Sequence, residues 1–221
     1  MAASGEPAYF LDHDGRVFLV RDGAGWRLPT KAEVPFRFAE KHRASIQGRV
    51  VVFGGPLEKH LRTEWPWKDD LYARDDVEPL ARAAANMTQP RVVAKGAFLR
   101  GGDVLLIKDK VGFYAGRWNL PGGYLDYGEG PEACVVREAG EELGVKAEVT
   151  RLLRIDAQVV PTGLQFITFH YEGRLASDEL QLKPDEIAAA QWVALADAAR
   201  EVASVHSRAA LEQLLKEARR A

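Results

Sequence analysis

The stretch GYLDYGEGPEACVVREAGEELGV, Gly123 to Val145, decides how this chain folds and where its chemistry lies. Pro131 suits the first turn of a helix and Gly144 suits the position just past its end, so the spacing predicts a helix over 131–143. At about 100° per residue, with Glu138 set at 0°, Glu141 falls near −60° and Glu142 near +40°, while Val136, Ala139 and Leu143 fall between roughly 100° and 160°. Three carboxylates thus share one face and apolar residues another. Like charges at i,i+3 and i,i+4 repel, and anions in the last turns oppose the helix dipole. Helix stability alone gives no reason for them. A hard divalent cation would resolve the repulsion, and Mg2+ favours one or a few carboxylates shared with phosphate oxygens. A Glu-rich helix can equally be a solvated face, and the three carboxylates by themselves leave that alternative open.

The flanking residues narrow the choice. Gly122-Gly123 lets backbone approach a ligand closely, and Arg137 can steer Glu141 one turn away or clamp neighbouring Glu138. Read as Gly-x5-Glu-x7-Arg-Glu-U-x-Glu-Glu-x-Gly-U, with U a bulky aliphatic residue, the stretch resembles the Nudix box. All seven fixed positions agree, Gly123, Glu129, Arg137, Glu138, Glu141, Glu142 and Gly144. Ala139, at the first U position, is smaller than the usual residue and is expected to loosen packing beneath the helix.

The resemblance to the Nudix hydrolases covers about Arg91 to Ala221. It implies an α/β/α sandwich around a mixed sheet and cleavage of a diphosphate linkage in a nucleoside diphosphate derivative. Glu138, Glu141 and Glu142 look like the metal-binding carboxylates, with the Gly123 carbonyl as a further ligand and Glu129 as an accessory acid. The implied cofactor is Mg2+, with Mn2+ as a substitute, which would activate a water for attack on phosphorus while a carboxylate takes its proton. Family members often recruit another acid from a loop after the box. Asp185, Glu186 and Glu172 are the candidates here, and Glu186 is favoured. Arg117, Phe113, Tyr114 and Tyr127 flank the box and are expected to bind substrate, as could Tyr124. Cys134, one turn before Glu138 and without a neighbouring His, reads as a packing residue rather than a nucleophile.

Outward from the box, Ala97 to Leu99, the turn 100–103 and Val104 to Ile107 predict a hairpin, and Tyr9 to Leu11, the turn 12–15 and Val17 to Val20 predict another. The likeness continues: Val20-Arg21-Asp22 matches Ile107-Lys108-Asp109, and Trp26-Arg27-Leu28-Pro29 matches Trp118-Asn119-Leu120-Pro121. This reads as an internal repeat. The copies part after the Pro, where Thr30-Lys31 replaces Gly122-Gly123 and the acidic helix, so the first copy lacks the residues for chemistry. A helix over 77–87 followed by Gln89-Pro90 sets a boundary, giving a small α/β N-terminal domain, 1–88, that is non-catalytic and Nudix-like, and a Nudix domain, 89–221. Strands near 147–160 and 164–175 flank the turn Pro161-Thr162-Gly163, a strand is expected around 190–194, and a helix from Ser207 to about Arg219 closes the chain.

Composition bounds the partners. The 221 residues carry 30 Lys plus Arg against 32 Asp plus Glu, so no global basic field gathers a nucleic acid duplex or an anionic membrane. The balance is an average, since six acids and one base fall between Gly123 and Val145. One Cys excludes an intramolecular disulfide or a multi-Cys zinc site and fits a reducing, cytoplasmic setting. No apolar run is long enough to span a membrane, and the first residues do not read as a secretion signal. A homodimer remains open.

Substrate choice is the least legible part. The NADH-pyrophosphatase type also has a Nudix-like unit before the catalytic one, but its four-Cys zinc site cannot form here and its Ser-Gln-Pro-Trp-type tail is absent. ADP-ribose pyrophosphatases carry a Pro some 15 or 16 residues past the box, where this chain has Pro161, although a Pro-Thr-Gly between apolar runs is also simply a turn. The leading expectation is a Mg2+-dependent pyrophosphohydrolase of ADP-ribose or a related nucleotide sugar. A nucleoside triphosphate or NADH-like dinucleotide is the alternative substrate. A nucleotide-sensing binding protein is the alternative of another class. An isopentenyl diphosphate isomerase is disfavoured because the one Cys lies within the box helix.

Overall fold

The computed structural model describes residues 5–58 and 64–220. The chain divides into two compact units, one formed by Met1–Pro90 with Val159–Gln165 and the other by Arg91–Gln158 with Phe166–Ala221. The boundary falls two residues beyond the expected one. The tip of the later hairpin joins the first unit, where Gly163, at φ 92°, leaves no room for a side chain beside Met87, Ala44 and His42.

In the first unit, β1 (Ala8–His13), β2 (Arg16–Val17), β5 (Phe38–Ile46) and β6 (Arg49–Pro56) form a sheet in the order β2-β1-β6-β5. The first hairpin turns at Asp14 and Gly15, both at positive φ, which lets two residues reverse the chain. Its second strand is shorter than expected, and the chain resumes as a separate hairpin of β3 (Val20–Asp22) and β4 (Gly25–Arg27). Helix α1, expected over 77–87, runs Pro79–Thr88. Its Leu80, Ala81, Ala84 and Ala85 close a core containing Phe10, Val17 and Val51.

The second unit holds β7 (Arg91–Arg100), β8 (Asp103–Asp109), β9 (Trp118–Asn119), β10 (Ala147–Val159), β11 (Gln165–Leu175) and β12 (Ile187–Ala194). Their order is β10-β11-β7-β8-β12, with β9 paired to β8. The sheet is mixed, with β7 parallel to β11 and antiparallel to β8. Alternation along β8 sends successive side chains to opposite faces. Leu105 and Ile107 pack with Cys134, Val135, Ala139 and Leu143 of α2 (Pro131–Leu143). Val104 and Leu106 pack with α3 (Leu195–Glu201) and α4 (Val205–Ala218) through Ala198, Leu211 and Leu214. This is an α/β/α sandwich with a polar pin in one layer, where buried Ser207 of α4 donates to Asn119 Oδ1 at 3.0 Å.

The two units share a strand plan. In each, the first strand pairs antiparallel with the second and parallel with a later one, β1 with β2 and β6, β7 with β8 and β11. In each, a Trp on a returning strand opposes a cationic residue, Trp26 opposite Arg21 and Trp118 opposite Lys108. The difference lies where the sequences part. After Leu28-Pro29 the first unit makes only a short 3-10 turn, Lys31–Glu33, whereas after Leu120-Pro121 the second makes the glycine loop and α2.

Candidate active site

Helix α2 places the acidic face. It starts at Pro131 and ends where Gly144 adopts the left-handed conformation, φ 68°, with its N–H donating to Gly140 O and that of Val145 to Ala139 O. Ala139 is fully buried in the cluster with Phe98 and Leu105. The apolar stripe is displaced from the expected one: Cys134, Val135, Ala139 and Leu143 are buried, while Val136 is 41% exposed.

The glycine loop lies along β7. Gly96 N–H donates to Pro121 O (2.9 Å), Ala94 N–H to Gly123 O (3.0 Å) and Leu125 N–H to Val92 O (3.2 Å). The approach is so close that a Cβ on Gly122 would stand 2.2 Å from Ala94 O, and one on Gly123 would stand 2.3 Å from Glu138 Oε1. Both positions therefore require glycine, the first for the strand and the second for the carboxylate.

Glu142 is 7% exposed, and its Oε2 accepts from Gly122 N–H at 2.9 Å. Burial pushes its carboxyl up to about 7, with Lys95 and the Gly122 N–H only partly opposing that shift. Burial also raises Glu138, against the lowering effect of Arg137. Arg137 is the hub of the face. It grips Glu129 bidentately at 2.9 and 3.0 Å, and Nη1 donates to Glu138 at 3.0 Å and to Glu141 at 3.4 Å. Nη2 also donates to Tyr124 O at 2.9 Å. The Arg137 hydrogen bonds hold the Glu129 carboxyl down to about 2. Glu141 is the most exposed of the three helix carboxylates.

Among the described residues no three Asp, Glu, His or Cys side chains converge closely enough to enclose a metal ion. Arg137 holds Glu138 and Glu141 instead. The donor types nevertheless suit a hard cation: Glu138 and Glu142 are carboxylates desolvated against their own charge, and the absent Cβ of Gly123 lets the Glu138 carboxylate lie against the glycine loop. The Gly123 carbonyl has one lone pair engaged by Ala94 N–H and also meets Cys134 Sγ at 3.6 Å.

Cys134 is buried, and desolvation with the nearby acids pushes its thiol up to about 11. The native protein should resist iodoacetamide at pH 8 and become labelled on unfolding, as mass spectrometry of the intact chain would show; rapid native labelling would contradict the packing role.

The remaining sequence candidates are scattered. Glu186 is half-buried and paired with Lys183 at 2.7 Å, on a loop that meets the C-terminal end of α2 where Lys183 N–H donates to Glu142 O. No hydrogen bond links its carboxylate to the box acids. Asp185 is exposed, and Glu172 is bonded to Arg151 on the sheet. Phe113 is exposed and stands edge-on to Tyr114 at 4.9 Å; Arg117 is exposed on the same loop, and Tyr127 is fully exposed. Tyr124 lies 6.2 Å from Phe166.

Two residues escaped the sequence reading. Lys95 of β7 donates from Nζ to Gly122 O, and Asp109 at the end of β8 is half-buried with its carboxyl raised by desolvation. Both bear electrostatically on Glu142. A lone Lys in the apolar run from Val92 to Leu99 was the available signal for the first. Asp109 gave none, because only strand pairing brings it to the site.

An α/β/α sandwich with a glycine loop along the central strand β7 and a carboxylate helix packed beside it fits a phosphate-handling class of enzyme. The NUDIX domain family matches residues 90–214, more than half of the chain. The chain belongs to the Nudix hydrolase family, whose members use divalent metal ions to break pyrophosphate bonds. It is 39% identical over 198 residues to the NAD-capped RNA hydrolase NudC of Pseudomonas aeruginosa, covering 86% of this chain and 66% of that protein. A MutT NUDIX hydrolase from Burkholderia pseudomallei is 36% identical with a TM-score of 0.51, covering 57% of this chain and 98% of that one. The MutT protein of Methanosarcina mazei, 22% identical with a TM-score of 0.53 over 59% of this chain and 96% of that one, shares the fold. The chain spans from a quarter to about two thirds of the length of the curated relatives it matches. No helix among the described residues is long and apolar enough to cross a membrane.

Proposed function

We propose that the chain is a Mg2+-dependent pyrophosphohydrolase acting on a diphosphate that joins two nucleosides, as in NADH. The observation that carries this is the extent of similarity to NudC, which covers most of this chain rather than the Nudix domain alone. ADP-ribose becomes the second choice. Pro161, its one supporting residue, sits in a tight turn closed by Gly163 N–H to Val160 O and Val160 N–H to Leu164 O. A free dinucleotide is preferred over the capped end of an RNA, because the near-neutral chain offers no general attraction to a polyanion.

Glu138, Glu141, Glu142 and the Gly123 carbonyl would hold the ion. When bound, it neutralises the diphosphate and lowers the pKa of a water. Arg137 sets Glu138 and Glu141 on the helix and anchors them to the loop through Tyr124 O. Among acids outside the box, half-buried Asp109 at the end of β8, whose charge opposes ionisation of Glu142, joins Glu186 as a candidate for the proton-accepting role. Arg117 supplies a guanidinium for phosphate, and Phe113 and Tyr114 supply faces for a base. The single buried thiol suits a reducing cytoplasm.

Product release with Mg2+ from NADH, ADP-ribose, a diadenosine polyphosphate, a nucleoside triphosphate and an NAD-capped oligonucleotide tests the proposal. NADH is expected to give the highest kcat/KM. Preference for ADP-ribose would restore that substrate reading, and tight binding of any of them without cleavage would favour a nucleotide sensor.

A further inference from the structure

We propose that Lys95 is a positioning residue, whose ammonium group holds the Gly122 carbonyl and, through the backbone of that glycine, the N–H that binds the Glu142 carboxylate. In the antiparallel pairing of the glycine loop with β7, residues 121, 123 and 125 use their backbone groups toward the strand. Gly122 and Tyr124 occupy the alternate positions, so their carbonyls find no partner on β7. Each is held instead by a cationic side chain, Tyr124 O by Arg137 and Gly122 O by Lys95. Arg137 belongs to the box and Lys95 does not. Gly122 also donates its N–H to Glu142, so the two peptide planes that meet at its Cα are held in turn, the preceding one by a buried carboxylate and the following one by an ammonium.

The surroundings explain why a Lys can stand there. Lys95 lies in β7 between buried Ala94 and Gly96, a setting that penalises an unpaired ammonium. Its charge favours the ionised forms of Glu138, Glu142 and Asp109, the second of which is opposed by both of the others. It therefore offsets the charge of the acidic groups while it fixes the loop that lies beside them. Only the kinetic consequence rests on the pyrophosphohydrolase reading; the anchoring of Gly122 does not.

The test compares Lys95→Met, which removes charge and donor at similar length, with Lys95→Arg, which keeps both. In the metal-free protein, amide hydrogen exchange at Gly122 should rise about 10-fold or more in Lys95→Met, with α4 amides within about twofold of wild type and Lys95→Arg close to wild type. With Mg2+ and the best substrate, kcat of Lys95→Met should fall about 10- to 100-fold with KM within about threefold, the size expected for loss of a group that orients a ligand. Lys95→Gln, which keeps a shorter donor, repeats the comparison should the Met variant aggregate, with the same direction expected. Unchanged exchange at Gly122, or an equal rise throughout the second unit, would overturn the proposal. Absence of turnover in the wild-type chain would count against the hydrolase reading and leave the exchange comparison to decide the role of Lys95.

Discussion

Glu142→Gln is expected to lower kcat on the order of 10³-fold while leaving the protein folded, because the amide oxygen can still accept from Gly122 N–H and only the charge is lost. Steady-state kinetics with a single substrate would check it, and retained turnover would remove Glu142 from the mechanism. The same variant has a second readout in the metal-free state. Burial raises the Glu142 carboxyl from 4.5 to about 7, so the folded protein keeps the proton after the unfolded chain has released it. Its contribution to stability is therefore most favourable below about pH 4.5, declines as pH rises toward 7, and is flat above. A separation of that size corresponds to about 3 kcal/mol. Chemical denaturation at successive pH values should show the decline in wild type and a flatter profile in Glu142→Gln. Added Mg2+ at pH 8 should raise the melting temperature of wild type more than that of the variant.

Helix α2 was legible to the residue because both its ends are written in backbone chemistry, Pro131 at the start and a left-handed Gly144 at the stop. Its faces were less legible. On the same 100° wheel Glu142 stands only about 20° from Val135, inside the arc that packs on the sheet. Residue type suggested an acidic face and an apolar face; the fold instead buries Glu142 beside Val135 and leaves Val136 at the margin. That displacement gives one carboxylate a pKa near neutrality and leaves another, Glu141, in solvent. Strand β5 was missed because its Phe-Ala-Glu-Lys-His-Arg-Ala-Ser-Ile run, 38–46, is an edge strand whose first half is largely exposed and whose alternation is confined to the stretch from His42 to Ile46. Helix α3 was missed because Ala194, before its first turn, gives no capping signal. Lys95 stood out locally only as a lone charge in an apolar run and Asp109 not at all, since their relation to Glu142 exists only once β7 and β8 are paired beside the glycine loop.

Gly122→Ala and Gly123→Ala should separate the two duties of that loop. At Gly122 the added methyl would meet the backbone oxygen of Ala94 at 2.2 Å, and φ is 122°, a conformation that side chains rarely adopt. Neither the strand nor the dihedral can yield without breaking the bonds from Ala94 and Gly96. A loss of about 3 kcal/mol or more is expected, on the scale of other strained or overpacked buried sites, together with loss of activity. At Gly123 the obstructing atom is Oε1 of Glu138, the end of a side chain that can rotate away. The fold should then survive with a loss of about 1 kcal/mol or less, while the carboxylate leaves its place and turnover falls on the order of 100-fold. Denaturant midpoints and kcat measured on both variants would decide. Equal loss of stability in the two would mean that the loop acts as one structural unit; equal activity in Gly123→Ala and wild type would mean that the position of Glu138 beside the glycine is incidental to the chemistry.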